Sequence, residues 1–150
     1  MTDTDEEYTG EFGEVKVSSL RVIRDVFVNH EPLVEEAQLD EFDPHELQVY
    51  FEDGFEKPGR FDVRWSTRNY FNFHYTEPGE FDFRYDRHPN HHSPEKHFHP
   101  PSPQKGERRD PEESCIEVET DRLVALAVIQ LWRQAWEADD FSLLNQGNPP

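Results

Sequence analysis

Phe71-Asn-Phe-His-Tyr-Thr-Glu-Pro-Gly-Glu-Phe-Asp-Phe-Arg-Tyr-Asp86 is the stretch on which the fold turns. Phe71, Phe73 and Tyr75 occupy alternate positions before Glu77-Pro78-Gly79, and Phe81, Phe83 and Tyr85 do so after it. Successive side chains of an extended chain point to opposite faces, so a period of two predicts strands. Pro and Gly between the runs predict the turn that joins them. The two runs therefore read as an antiparallel hairpin with one aromatic, buried face. Asn72, His74, Arg84 and Asp86 share the other face.

Working outward, the same alternation recurs. Phe61, Val63 and Trp65 interleave with Asp62, Arg64 and Ser66, and Leu47, Val49 and Phe51 interleave with Gln48, Tyr50 and Glu52. Asp53-Gly54 marks a turn. The step from Trp65 to Tyr70 fits either a tight hairpin or one bent strand. Pro32–Leu39 adds a weaker strand, diluted by Glu35, Glu36 and Gln38. The expectation is a small antiparallel sheet of four to five strands with one buried face. Two helices flank it. Leu20, Ile23 and Phe27 recur at helical spacing, Ser18 or Ser19 is a candidate cap, and Pro32 ends the run. The β-branched Val22, Val26 and Val28 leave a strand open there. Near the other end, Thr120 and Asp121 open a helix in which Leu123, Val124, Leu126, Val128, Ile129, Leu131, Trp132 and Trp136 cover much of the circumference. Such a helix has to be covered on more than one side, by the sheet or by a second copy in a homodimer. The fold class is α+β, with a short N-terminal helix and an apolar C-terminal helix packed on the sheet.

A chain of 150 residues supports one core. The expected organisation is a disordered acidic tail over 1–14, a single domain over 15–138 and a flexible tail over 139–150. Within the domain, His88–Glu113 holds six prolines and five of the eight histidines and reads as an extended loop. The 33 acidic against 15 basic residues give a formal charge of −18, with lysine confined to four positions. Self-repulsion of that size weakens a compact state at ordinary ionic strength and is screened in molar salt. The composition thus points to a salt-accumulating, halophilic cytoplasm. The single Cys115 excludes a disulfide framework and a cysteine zinc site. No run approaches a membrane span and no signal peptide is recognisable, so a cytoplasmic protein without membrane contact is expected.

Chemistry concentrates on the polar face and the histidine-rich segment. Arginine, histidine and aspartate on one surface suffice for anion binding and proton transfer, the kit of a metal-independent ribonuclease. The same residues also fit a solvated face with cross-strand ion pairs. His91, His97, His99 and Asp86 form an alternative ligand set for Zn or another first-row divalent metal. Without a metal, they form a His/Arg/Asp site for phosphate or nucleotide. An apolar C-terminal helix docking a partner through Leu126, Ile129 and Trp132 would instead make the chain an interaction module.

The run from Phe71-Asn-Phe-His-Tyr through Phe81-Asp-Phe-Arg-Tyr-Asp-Arg-His-Pro-Asn-His-His to His97-Phe-His-Pro-Pro resembles the TumE-like toxins of prokaryotic toxin–antitoxin pairs. Arg84, Asp86, Pro89 and His91 fall on the family's Arg-x-Asp-Asn-x-Pro-His-His stretch, and His97 and His99 on its later histidine cluster. Arg87 and Asn90 depart from that pattern. The resemblance implies a toxin acting on RNA or translation and silenced by a cognate antitoxin protein. The candidate catalytic residues are His74, Arg84, Asp86, His91, His97 and His99, with Arg64, Asn72 and Arg87 as substrate-binding residues. His74 or His91 would be the base, a loop histidine the acid, and Arg84 the charge stabiliser.

Overall fold

In the structure, a computed structural model that describes residues 12–88, 95–102 and 109–150, the aromatic alternation makes the hairpin it predicts. Strands β4 (Phe71–Glu77) and β5 (Phe81–Arg87) pair antiparallel, with Phe73 opposite Tyr85 and Tyr75 opposite Phe83. The Tyr75 and Phe83 rings stack with centroids 4.8 Å apart. Gly79 turns the chain at a φ of 96°, a conformation that glycine adopts without strain.

Five more strands extend this hairpin. They are β1 (Val34–Leu39), β2 (Leu47–Phe51), β3 (Arg60–Trp65), β6 (Lys96–His99) and β7 (Glu112–Glu113). Every strand pairs with its sequence neighbour, so the sheet is a seven-stranded antiparallel meander in the order β1 to β7. The α+β class holds, but the expected four to five strands are too few. Both additional strands come from His88–Glu113, which is therefore not an uninterrupted loop. Lys96-His97-Phe98-His99 offers one apolar residue and β7 none, too little for alternation to register. Trp65 to Tyr70 is a tight hairpin, with the Ser66 amide donating to the Tyr70 carbonyl.

Among the described residues, two helices cover the aromatic face. Helix α1 (Val17–His30) buries Leu20, Ile23, Val26 and Phe27, as helical spacing requires. Its cap differs from expectation: Lys16 precedes the helix with no side-chain bond, and its amide is tied to the Trp65 carbonyl instead. Helix α2 (Asp121–Ala138) buries Val124, Val128, Leu131 and Trp132. Trp132 meets Phe51 of the sheet at 4.6 Å between centroids. Arg133 of α2 grips Glu31, just beyond α1, through two bonds of 2.8 and 2.6 Å. A short 3-10 helix, Phe141–Asn145, lies beyond α2 and buries Leu144 completely, in the segment expected as a flexible tail. The Leu144 carbonyl accepts the Tyr85 hydroxyl. Sheet, α1 and this 3-10 segment cover much of the apolar girth of α2, leaving Leu123 exposed. Trp132 and Ile129 are buried in the chain's own core and offer no docking surface.

Buried polar groups off the open face are braces. The Glu77 carboxylate accepts the amides of Phe55, Glu56 and Lys57 and the Tyr75 hydroxyl, clamping the β2–β3 loop to the sheet. Burial and that bond to Glu77 push the Tyr75 phenol well above its usual range.

Candidate functional site

Neither α1 nor α2 lies on the second face of the sheet, and register arranges its side chains in rows. One row runs Asp62, His74, Arg84, His99 across β3 to β6. The next runs Arg64, Asn72, Asp86, His97. Adjacent strands lie about 4.8 Å apart, so cross-strand neighbours in a row touch. Alternation thus brings together His74, Arg84, Asp86, Asn72 and Arg64, and β6 adds His97 and His99.

Asp86 is the hub, 1% exposed. Its Oδ2 accepts Arg84 Nε at 2.7 Å and lies 3.1 Å from His99 Nε2. His88 Nε2 and His97 Nε2 each stand 3.6 Å from the same oxygen. Burial alone would raise the carboxyl pKa. Hydrogen bonds to His88 and His99 and the charge of Arg84 outweigh it and hold Asp86 well below the usual carboxylate range.

Arg84 and the two histidines beside it form the second feature. Arg84 Nη2 lies 3.0 Å from His99 Nε2, which accepts from Arg84 in one tautomer and donates to Asp86 in the other. On the opposite side, His74 Nε2 pairs with Asp82 Oδ2 at 2.9 Å. A half-exposed arginine is therefore flanked by two imidazoles, each backed by its own carboxylate. Such an arrangement has the groups needed to bind an oxyanion and to move protons on both sides of it.

The remaining candidates sit as follows. Arg64 extends the second row, its guanidinium over the Phe12 ring at 5.2 Å. Arg87 has the parity of the aromatic face. It donates to the Asn69 carbonyl at 3.0 Å and stacks over Tyr70, away from Arg84. His91 lies outside the described residues. Two participants escaped the sequence reading. Asp82 has the polar-face parity of its strand, the one signal that marks it. His88 follows the last aromatic, yet it stands two residues from Asp86, and that spacing puts it on the same face. Cys115 is half-buried and burial pushes its thiol pKa up, the opposite of an activated nucleophile.

Fold and face define a class: a small α+β meander domain carrying a histidine–arginine–carboxylate cluster on an open sheet surface. The family model described as Toxin TumE matches residues 20–132, most of the chain, and the protein belongs to the TumE toxin family. Membership places it on the toxin side of a toxin–antitoxin pair, with a cognate antitoxin as the partner that follows. No curated protein and no solved structure matches the chain. Among the described residues, no helix is long and apolar enough to cross a membrane.

Proposed function

We propose that this toxin cleaves RNA, without metal in the reaction, on the face carrying His74, Arg84 and His99. The observation behind this reading is the cross-strand row in which Arg84 stands between the two carboxylate-backed histidines. Arg84 holds the scissile phosphate. His74 takes the proton of the ribose 2′-hydroxyl, and the oxygen attacks the adjacent phosphorus. As the bond to the 5′-oxygen breaks, His99 gives that oxygen its proton, and Arg84 neutralises the charge that builds on the phosphoryl oxygens. The products are a 2′,3′-cyclic phosphate and a 5′-hydroxyl. Asp86 and Asp82 orient the imidazoles through Nε2 and leave Nδ1 to the substrate. Arg64 and Asn72, one pleat along, receive the neighbouring nucleotide.

Purified protein incubated with RNA in molar KCl and a chelator tests this. Fragments ending in cyclic phosphate are expected, and His74→Ala and His99→Ala should each cut the rate by about 10²-fold or more. Undiminished cleavage by either variant, or no cleavage by the wild type, overturns the reading.

A further inference from the structure

We propose that Asp86, His88 and His97 form a binding site for a first-row divalent cation, Zn²⁺ being the best match, and that its occupancy turns the toxin down. One carboxylate oxygen and two imidazole nitrogens converge here, all within 4.8 Å of one another. Ligands held at 2.0–2.1 Å around a tetrahedral ion stand about 3.3 Å apart. The Asp86 Oδ2 to Nε2 distances are 3.6 Å for His88, 3.6 Å for His97 and 3.1 Å for His99. Two of the three edges among the ligand atoms, both 3.6 Å, are thus close to that spacing.

A second observation concerns Asp86 itself. Four nitrogens crowd its Oδ2, while Oδ1, equally buried, has no hydrogen-bond partner among the described residues. A buried carboxylate with an unsatisfied oxygen is costly, and a cation bound at the group compensates it. Two imidazoles and one carboxylate suit Zn²⁺; Mg²⁺ and Ca²⁺ favour oxygen ligands throughout. Arg84 Nε, donating to Oδ2 at 2.7 Å, would orient the ligating carboxylate. Three protein ligands leave a fourth position for water.

The regulatory consequence follows from sharing. Asp86 serves His99 in the cleavage scheme and the ion in this one. A bound cation takes the Asp86 charge and sets His99 adrift, so the loaded toxin cleaves more slowly. That consequence rests on the RNA-cleavage reading, whereas binding itself does not.

The test uses the full chain, stripped with chelator and titrated with ZnCl₂ in molar KCl by calorimetry, with metal content measured after gel filtration. One equivalent is expected, together with a higher Tm. His88→Gln should weaken binding at least tenfold, and His74→Gln should bind as the wild type does. His97 is 2% exposed and its loss risks the fold, so His88→Gln, checked by circular dichroism, carries the result. No uptake by the wild type, or His88→Gln binding as tightly as the wild type, overturns the site. In the RNA assay, zinc should slow the wild type at least tenfold and leave His88→Gln at its metal-free rate. Equal inhibition of both proteins overturns the regulatory claim. Uptake lost in His88→Gln, with no cleavage by any form, supports the site and sinks the RNA reading alone.

Discussion

Asp86 concentrates the energetics of the open face in one side chain. Its carboxyl titrates below its unfolded value, about 3.9 for an aspartate. The folded state therefore gains from the anion above that unfolded pKa, and the gain disappears as the pH falls through the depressed folded value. Urea unfolding of the wild type should weaken steeply as the pH drops below about 4. Asp86→Asn should be less stable by about 2 kcal/mol at pH 7 and show a shallower acid slope, because it has no such proton to bind. Equal slopes would contradict the account of this residue. At this scale the sequence was informative about direction and poor about reach. Period-two spacing told which side of the sheet Asp86 takes. It could not tell that β6 would stand beside it, because that pairing depends on a segment whose prolines and histidines obscure its strand character.

Among elements, the aromatic hairpin and its two neighbours were legible because alternation over long runs has no competing helical reading. β6 and β7 were not, since four residues and two residues are below the length at which a period can be seen. Helix contacts follow the same logic: spacing marked the buried stripe of α1, but no local pattern announced its bond to α2. Glu31, with its side chain fully buried, meets Arg133 at 2.6 Å. Hydrogen bonding to Glu31 pushes the Arg133 pKa up, against the opposing effect of burial. Removing one partner strands a buried charge, so Arg133→Leu should cost about 3 kcal/mol in denaturant titrations. The Glu31→Gln/Arg133→Leu double variant should recover part of that loss. A double variant as unstable as the sum of the singles would show that the two groups do not interact.

For the molecule as a whole, charge is the dominant property. With a formal charge of −18 on 150 residues, repulsion acts against compaction until salt screens it. Raising KCl from 0.1 to 2 M should lift the Tm by at least ~3 °C, the shift that about 1 kcal/mol produces in a domain of this size. A flat or falling Tm would remove the halophilic reading. The open face is more nearly balanced than this acidic background, because Arg60, Arg64 and Arg84 on β3 and β5 share it with Asp62, Asp82 and Asp86.

The strictly sequential meander also sets an order of events during synthesis. Each strand finds its partner immediately before it in the chain, so the sheet closes by short loops and its entropic barrier is low. Helix α2, which shields Phe51 and its aromatic neighbours, is translated last of the major elements. At about 5–20 residues per second, the nascent sheet waits for its cover for a few seconds after β6 leaves the ribosome. During that interval the part of the aromatic face that α2 will cover is bare, while α1 and the strands of the future site have already been made. The toxin's most vulnerable moment is thus written into the order of its strands.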